Sequence, residues 1–242
     1  MISKSQIKTI TGLQQKKYRD KAGLFVAEGP KVIEDLLASG CKLRALFATE
    51  KPSYSLDVYQ EITEGELKKI SFLKTPHTSL ALFEIPETKP YKDTGLILVL
   101  DGVRDPGNLG TIIRLCDWFG VTQLICSTDS ANCYNPKVVQ ATMGSIARIS
   151  IHYMELEGFL QKTSLPVYGG CMEGENLYHQ KLAEQAVVVL GNEGKGISAE
   201  VERLLTHQIT IPQFGVVKET ESLNVATAGA ILLSEFKRST ET

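Results

Sequence analysis

The stretch Leu96-Ile-Leu-Val-Leu100, continued by Asp101-Gly-Val-Arg-Asp-Pro-Gly-Asn-Leu-Gly-Thr-Ile-Ile-Arg114, decides how the chain reads. Five consecutive aliphatic residues without alternation fit a strand buried on both faces. A turn rich in Gly and Pro follows, and from about Leu109 to Phe119 the apolar residues recur at helical spacing. The same order returns downstream. Thr122–Cys126 and Pro136–Met143 read as strand and helix, Val167–Cys171 and Ala186–Leu190 as two further strands. A last helix runs from about Leu223 to Arg238, with Leu223, Ala226, Ala230, Leu233 and Lys237 on one stripe. Strands alternating with helices predict an α/β fold with a mostly parallel sheet.

Upstream the elements are shorter. Ile7–Lys17 reads as a helix, Pro30 opens another that Gly40 stops, Leu43–Ala48 is a strand, Glu64–Leu73 a helix and Ser79–Ile85 a strand. Ile85-Pro-Glu-Thr-Lys-Pro-Tyr-Lys-Asp-Thr-Gly95 is polar and twice broken by Pro, the best linker in the chain. Two domains are therefore expected, a small α/β domain over 1–90 and a larger one over 91–242.

At 242 residues, 43% hydrophobic and 22% charged, the composition excludes disorder, collagen and coiled coil as the whole answer. No apolar run reaches the roughly 18 residues of a membrane span, and the N-terminus lacks a secretory h-region. Five cysteines without a CxxC argue against a disulfide framework or zinc ribbon, so reduced thiols in a cytoplasm are expected. His77, His152, His179 and His207 lack ligand spacing, and no metal is expected. Residues 1–90 hold 14 Lys+Arg against 11 Asp+Glu, whereas residues 91–242 hold 12 against 17. Lys16, Lys17, Arg19 and Lys21 crowd the start, either as phosphate contacts for a nucleic acid or as a solvated helix face.

Ligands of open α/β sheets sit beyond the carboxyl ends of the strands, and three loops there are rich in Gly, amide and charge. The first holds Asn108 and Arg114, six apart and so not on one helical face; a cap and a surface charge would also explain them. The second is Leu190-Gly-Asn-Glu-Gly-Lys-Gly-Ile-Ser198, whose glycines either fold tightly or cradle a ligand around Glu193. The third runs from Ile209-Thr-Ile-Pro-Gln-Phe-Gly215 to Ser222-Leu-Asn-Val-Ala226, where Ser222 or Asn224 can cap the last helix. None is a dinucleotide fingerprint or a Walker A loop. Cys116, Cys126 and Trp118 read as core residues, Trp118 against the sheet.

In this order the loops resemble the three motifs of the SpoU (TrmH-like) branch of the SPOUT methyltransferases: Asn108-x-Gly110-x-x-x-Arg114, Leu190-Gly-x-Glu193-Gly-x-Gly196, and Ile211-Pro with Ser222-Leu-Asn224-Val. The likeness covers about 95–240. Leu24-Phe-Val-Ala-Glu-Gly29 carries a weaker likeness to the ribosomal-protein-like RNA-binding domain that precedes the catalytic domain in ribosomal RNA members. The chain departs from many relatives by a few extra residues between Pro212 and Ser222, where Lys218, Glu219 and Thr220 are candidates to touch RNA or methionine.

The resemblance implies a trefoil-knotted C-terminal domain, a homodimer formed through it, and methyl transfer from S-adenosyl-L-methionine to a ribose 2′-hydroxyl of RNA. Ribosomal RNA is the expected substrate, with transfer RNA the alternative; a non-catalytic RNA-binding or assembly protein on the same fold is the reading from another class. The cofactor is expected, mostly through backbone, at Leu190, Gly191, Asn192, Gly196, Ile211, Pro212, Gln213 and Leu223. Arg114 is the family's base; Asn108 and Asn224 orient it and the substrate, Glu193 fixes the network, and Ser222 lies near the ribose or phosphate. Neutralising an Arg at pH 7 needs a shift of roughly 5 units at about 1.4 kcal/mol each. A charged Arg114 that stabilises the developing alkoxide is therefore favoured.

Overall fold

The structure, a computed structural model, describes residues 1–51, 58–215 and 222–238; Lys218, Glu219 and Thr220 lie outside them. Packing groups the chain into two compact units, Met1–Glu87 with Asn132–Ala147, and Thr88–Ala131 with Arg148–Thr242.

The first unit contains α1 (Lys4–Gly12), α2 (Lys16–Ala22), β1 (Leu24–Glu28), α3 (Pro30–Ala38), β2 (Leu43–Ala48), β3 (Tyr59–Glu61), α4 (Glu64–Ile70) and β4 (Ser79–Glu84). Its sheet runs β1-β4-β2-β3, with β4 antiparallel to both neighbours and β3 parallel to β2. Ser3 with Gln6 and Thr63 with Glu66 form capping boxes that start α1 and α4. Ile10, Leu13, Val26, Phe47, Leu67, Ile70 and Leu80 build the core beneath them. The single helix expected over Ile7–Lys17 is two. Gly12 ends the first, and Arg19 of α2 reaches back to it: its Nη1 donates to the carbonyls of Leu13 and Gln14, each at 2.8 Å. Those carbonyls are the orphans that a broken helix leaves.

The second unit contains β5 (Leu96–Leu100), α5 (Pro106–Trp118) and β6 (Gln123–Cys126), and the chain then forms α6 (Pro136–Thr142) in the first unit before it returns. It continues with β7 (Ser150–Tyr153), α7 (Leu156–Leu160), β8 (Val167–Asn176), β9 (Ala186–Leu190), α8 (Ala199–Glu202), β10 (His207–Thr210) and α9 (Val225–Arg238). All six strands are parallel, in the order β10-β8-β9-β5-β6-β7. Every residue of β5 and β9 is buried, as the unalternating runs predict. Leu156, Phe159, Leu160 and Val201 cover one group of sheet residues, Ile97, Val99, Val187 and Val189 among them, while α5 packs on α9.

The segment 132–147 sits with the first unit, although the linker pattern groups it with residues 91–242. Arg19 Nη2 donates to Asn132 Oδ1 at 2.8 Å, the Phe25 and Tyr134 rings lie 5.0 Å apart, and α6 packs on β1. Gly144, with φ of 90°, lies so close that a Cβ there would stand 2.7 Å from Asp35 Cβ. Arg19 is thus a correction to the expected RNA contacts: it is 2% exposed, buried by the chain it ties together. Trp118 is a second correction. It is 83% exposed, because at 3.6 residues per turn it lies about 180° from Leu109 on the buried face of α5. Cys116 and Cys126 are buried as expected.

Candidate functional site

The chain leaves β5 toward β6 on one side and leaves β9 toward β10 on the other. Adjacent parallel strands whose continuations diverge open a crevice at their carboxyl ends. Leu100 and Leu190, paired in register, both end there.

The two exit loops are locked to each other. Asp101 N donates to Leu190 O at 2.9 Å, and Asp101 Oδ2 accepts from Ser198 N at 2.7 Å. Asn192 and Gly196 exchange backbone hydrogen bonds of 2.9 and 3.0 Å, which close the Gly-rich loop. Asn192 Oδ1 accepts from the N–H groups of Gly194 and Lys195, and its Nδ2 donates to Gly102 O at 2.6 Å. A Cβ on Gly191 would lie 2.1 Å from the carbonyl carbon of Gly196, so the fold of this loop excludes any side chain there.

Glu193 projects from that loop onto the start of α5. Its Oε1 accepts from Asn108 Nδ2 and from Asp105 N, each at 3.1 Å, and its Oε2 from Arg104 N and Asn192 Nδ2, each at 3.4 Å. Burial works against the charge, but the hydrogen bonds from Asn108 and from the N–H groups of Glu193, Asp105 and Arg104 outweigh it and hold the carboxyl below its ordinary range. Asn108 Oδ1 in turn accepts from Asn224 Nδ2 at 2.9 Å. Asn224 Oδ1 accepts from Ala226 N and Thr227 N, which makes Asn224 the cap of α9 as well. Glu193, Asn108 and Asn224, from three loops, thus form one chain of hydrogen bonds.

Asn108 belongs to the helix rather than to the preceding loop. Asp105 caps α5, accepting from Asn108 N at 2.8 Å, and Pro106 takes the first turn, which starts the helix three residues earlier than expected. Arg114 lies six residues on, exposed, with no hydrogen-bond or ion-pair partner among the described residues. Within one chain it does not join the network. Ser222 and Leu223 are exposed, Leu223 by 48%. Leu190 and Gly191 are buried, Ile211 and Pro212 half-buried, and Gln213 exposed. Parallel strands put Ile211 and Pro212 at the same edge of the sheet as the exits of β5 and β9. Among the described residues no group of three His, Cys, Asp or Glu has the arrangement of a metal site.

Sequence reasoning missed Arg104 and Asp129. Arg104 Nη2 donates to Asp129 Oδ2 at 2.7 Å. Asp129 Oδ1 accepts from Ser127 Oγ at 2.7 Å, and Ser127 Oγ accepts from Gly102 N at 2.8 Å. The polar run Ser127-Thr-Asp-Ser130 at the exit of β6 was the available signal. In the first unit, Lys16 pairs with Asp20 at 2.6 Å, Lys17 Nζ stands 4.8 Å from the centre of the Tyr18 ring, and Lys21 is exposed.

A parallel sheet whose switch point carries an amide–carboxylate network and a glycine loop defines a ligand-binding α/β domain. The chain belongs to the SpoU rRNA Methylase family, which matches residues 95–234, and residues 4–81 match the MRM3-like substrate binding domain. It is 28% identical to the 23S rRNA (guanosine(2553)-2′-O)-methyltransferase RlmP of Bacillus subtilis, with 96% of each chain covered. A TrmH-family protein from Porphyromonas gingivalis superposes with a TM-score of 0.88 at 40% identity, over 98% of this chain and 99% of that one. The AdoMet-bound rRNA methyltransferase from Sinorhizobium meliloti does so with a TM-score of 0.86 at 29% identity, over 98% and 97%.

Proposed function

We propose that this protein transfers a methyl group from S-adenosyl-L-methionine to a ribose 2′-hydroxyl of ribosomal RNA. The observation that carries the reading is the Glu193–Asn108–Asn224 chain at the switch point, joining residues 85 and 116 positions apart in sequence. Its setting in a chain whose full-length relatives carry this activity by name supplies the substrate class. When bound, the cofactor supplies an electrophilic methyl group on a sulfonium; Leu190, Gly191, Asn192, Gly196, Ile211, Pro212, Gln213 and Leu223 are the residues that would hold it.

The roles in this reading are as follows. Glu193 stays ionised and fixes both the Gly-rich loop and Asn108. Asn108 has its donor on Glu193 and its acceptor on Asn224, so the three form a preorganised wall rather than an adaptable one. A charged Arg114 stabilises the developing 2′-alkoxide, and Ser222 binds near the ribose.

The same reading makes residues 1–90 the RNA-binding domain, with Lys16, Lys17 and Lys21 on phosphates, and residues 91–242 the trefoil-knotted catalytic domain. It includes a homodimer through the catalytic domain, supported by Arg114 and Trp118, one helical turn apart on the exposed face of α5. It places the protein in the cytoplasm, where Cys41, Cys116, Cys126, Cys133 and Cys171, none of them in a disulfide, stay reduced.

The experiment is nucleotide-resolved mapping of 2′-O-methylation in total RNA from cells with and without the gene. Loss of methyl at one ribosomal position is expected. Loss in transfer RNA would keep the chemistry and overturn the substrate, and no change with confirmed expression would overturn the reading.

A further inference from the structure

We infer that Arg104 binds a non-bridging phosphate oxygen of the RNA strand that enters the site, with Asp129 as its positioning residue, an inference that rests on the methyltransferase reading above.

Three observations carry it. First, the Arg104–Asp129 pair is exposed, 67% and 52% at the side chains, and exposed ion pairs contribute about 0–1 kcal/mol. Stability alone does not call for so much scaffolding. Yet Asp129 is anchored by Ser127 Oγ, which itself takes the N–H of buried Gly102, a glycine whose φ of 70° keeps this turn tight. Second, Asp129 engages only Nη2. A guanidinium has five N–H donors in a planar fork, so its remaining donors are available for a bidentate oxyanion. No other acceptor for them occurs among the described residues. Third, the backbone N–H of Arg104 donates to Glu193 Oε2 at 3.4 Å, so the residue that carries the guanidinium is itself tied to the network that would hold the target ribose. A ribose 2′-hydroxyl is adjacent to a phosphodiester, so an anion-binding fork at this rim meets the substrate backbone. The hydrogen bond from Arg104 is the foremost reason that Asp129 lies below its ordinary range, in keeping with a fixed, charged pair.

An oxyanion at this place has a second source, the carboxylate of S-adenosyl-L-methionine, and the test separates the two. Binding of 23S rRNA transcribed in vitro is measured between 50 and 200 mM salt for the wild type, Arg104→Ala, Arg104→Lys and Asp129→Asn, alongside cofactor titration of each. Arg104→Ala should weaken RNA binding about tenfold or more at the lower salt and reduce the salt slope by about one. Arg104→Lys should keep the slope and lose part of the affinity, since a point charge replaces the fork. Asp129→Asn should keep the slope and raise KM for RNA with little change in kcat. Cofactor affinity should stay within about twofold throughout. RNA affinity and slope unchanged in Arg104→Ala would overturn the inference, as would weakened cofactor binding with RNA binding intact. If the wild type methylates no RNA, the enzymatic reading fails, while the salt slopes still decide whether Arg104 touches phosphate.

Discussion

Glu193 receives four donors from three positions besides its own neighbour, and that reception defines its pH response. A carboxyl held below its ordinary value of 4.5 stabilises the fold above that value and loses the contribution as pH falls through the lower, folded one. Glu193→Gln should therefore be less stable than the wild type near pH 7, by about 1–2 kcal/mol for the weakened charge-assisted bonds. The gap should narrow below about pH 4.5, where only the wild type loses a charge. Thermal melts of both proteins from pH 7 to 4 check this, and a gap that widens on acidification would contradict it. Arg114→Ala should lower kcat by roughly a hundredfold or more, as loss of one alkoxide-stabilising donor does. Calorimetric titration should find cofactor affinity retained, and normal turnover would remove Arg114 from the mechanism. Asn108, Glu193 and Asn224 were legible because each stands in a short motif. Arg104 and Asp129 were not, because 25 residues separate them and only the pairing of β5 with β6 brings their loops side by side.

The loop after β9 shows how an element imposes different demands on its glycines. Gly191 has no room, since its Cβ would meet the backbone of Gly196 and Ile197 within 2.2 Å. Gly196 has open space but a φ of 73°. Gly191→Ala should force the loop open, costing stability and abolishing cofactor binding, because the obstacle is the main chain of Gly196 and Ile197, which cannot rotate aside. Gly196→Ala should cost only about 1–2 kcal/mol, the strain of a left-handed residue. Melting curves and cofactor titration of the two variants distinguish them; equal effects would refute the assignment. Buried runs such as β5 and β9 announce themselves in sequence by unbroken aliphatic residues. The start of α5 was misplaced because Asp105-Pro106 looks like a turn until the carboxylate is seen to cap Asn108 N. Short β3 and β7 carry no pattern of their own and form where a neighbouring strand supplies the ladder.

For the whole molecule, the segment 132–147 governs any attempt to divide the chain. A fragment beginning at residue 88 leaves the buried Cys133, Pro136, Val138 and Val139 without the first unit that covers them. Limited proteolysis should cut that fragment within 132–147 and spare the same bonds in the full chain; equal resistance would show that the segment packs independently. The dimer is tested at Trp118. Sedimentation should find the wild type dimeric and Trp118→Glu shifted toward monomer, and a monomeric wild type would exclude the dimer. The sequence by itself determined the α/β class, the buried central strands and the three loops whose residues meet in the hydrogen-bonded chain, since each depends on residues close together in the chain. Only the tertiary structure decided that Arg19 is a buried tie, that Trp118 faces outward, that 132–147 joins the first unit and that Arg104 meets Asp129. These depend on which distant segments pack together, and local spacing holds no record of that.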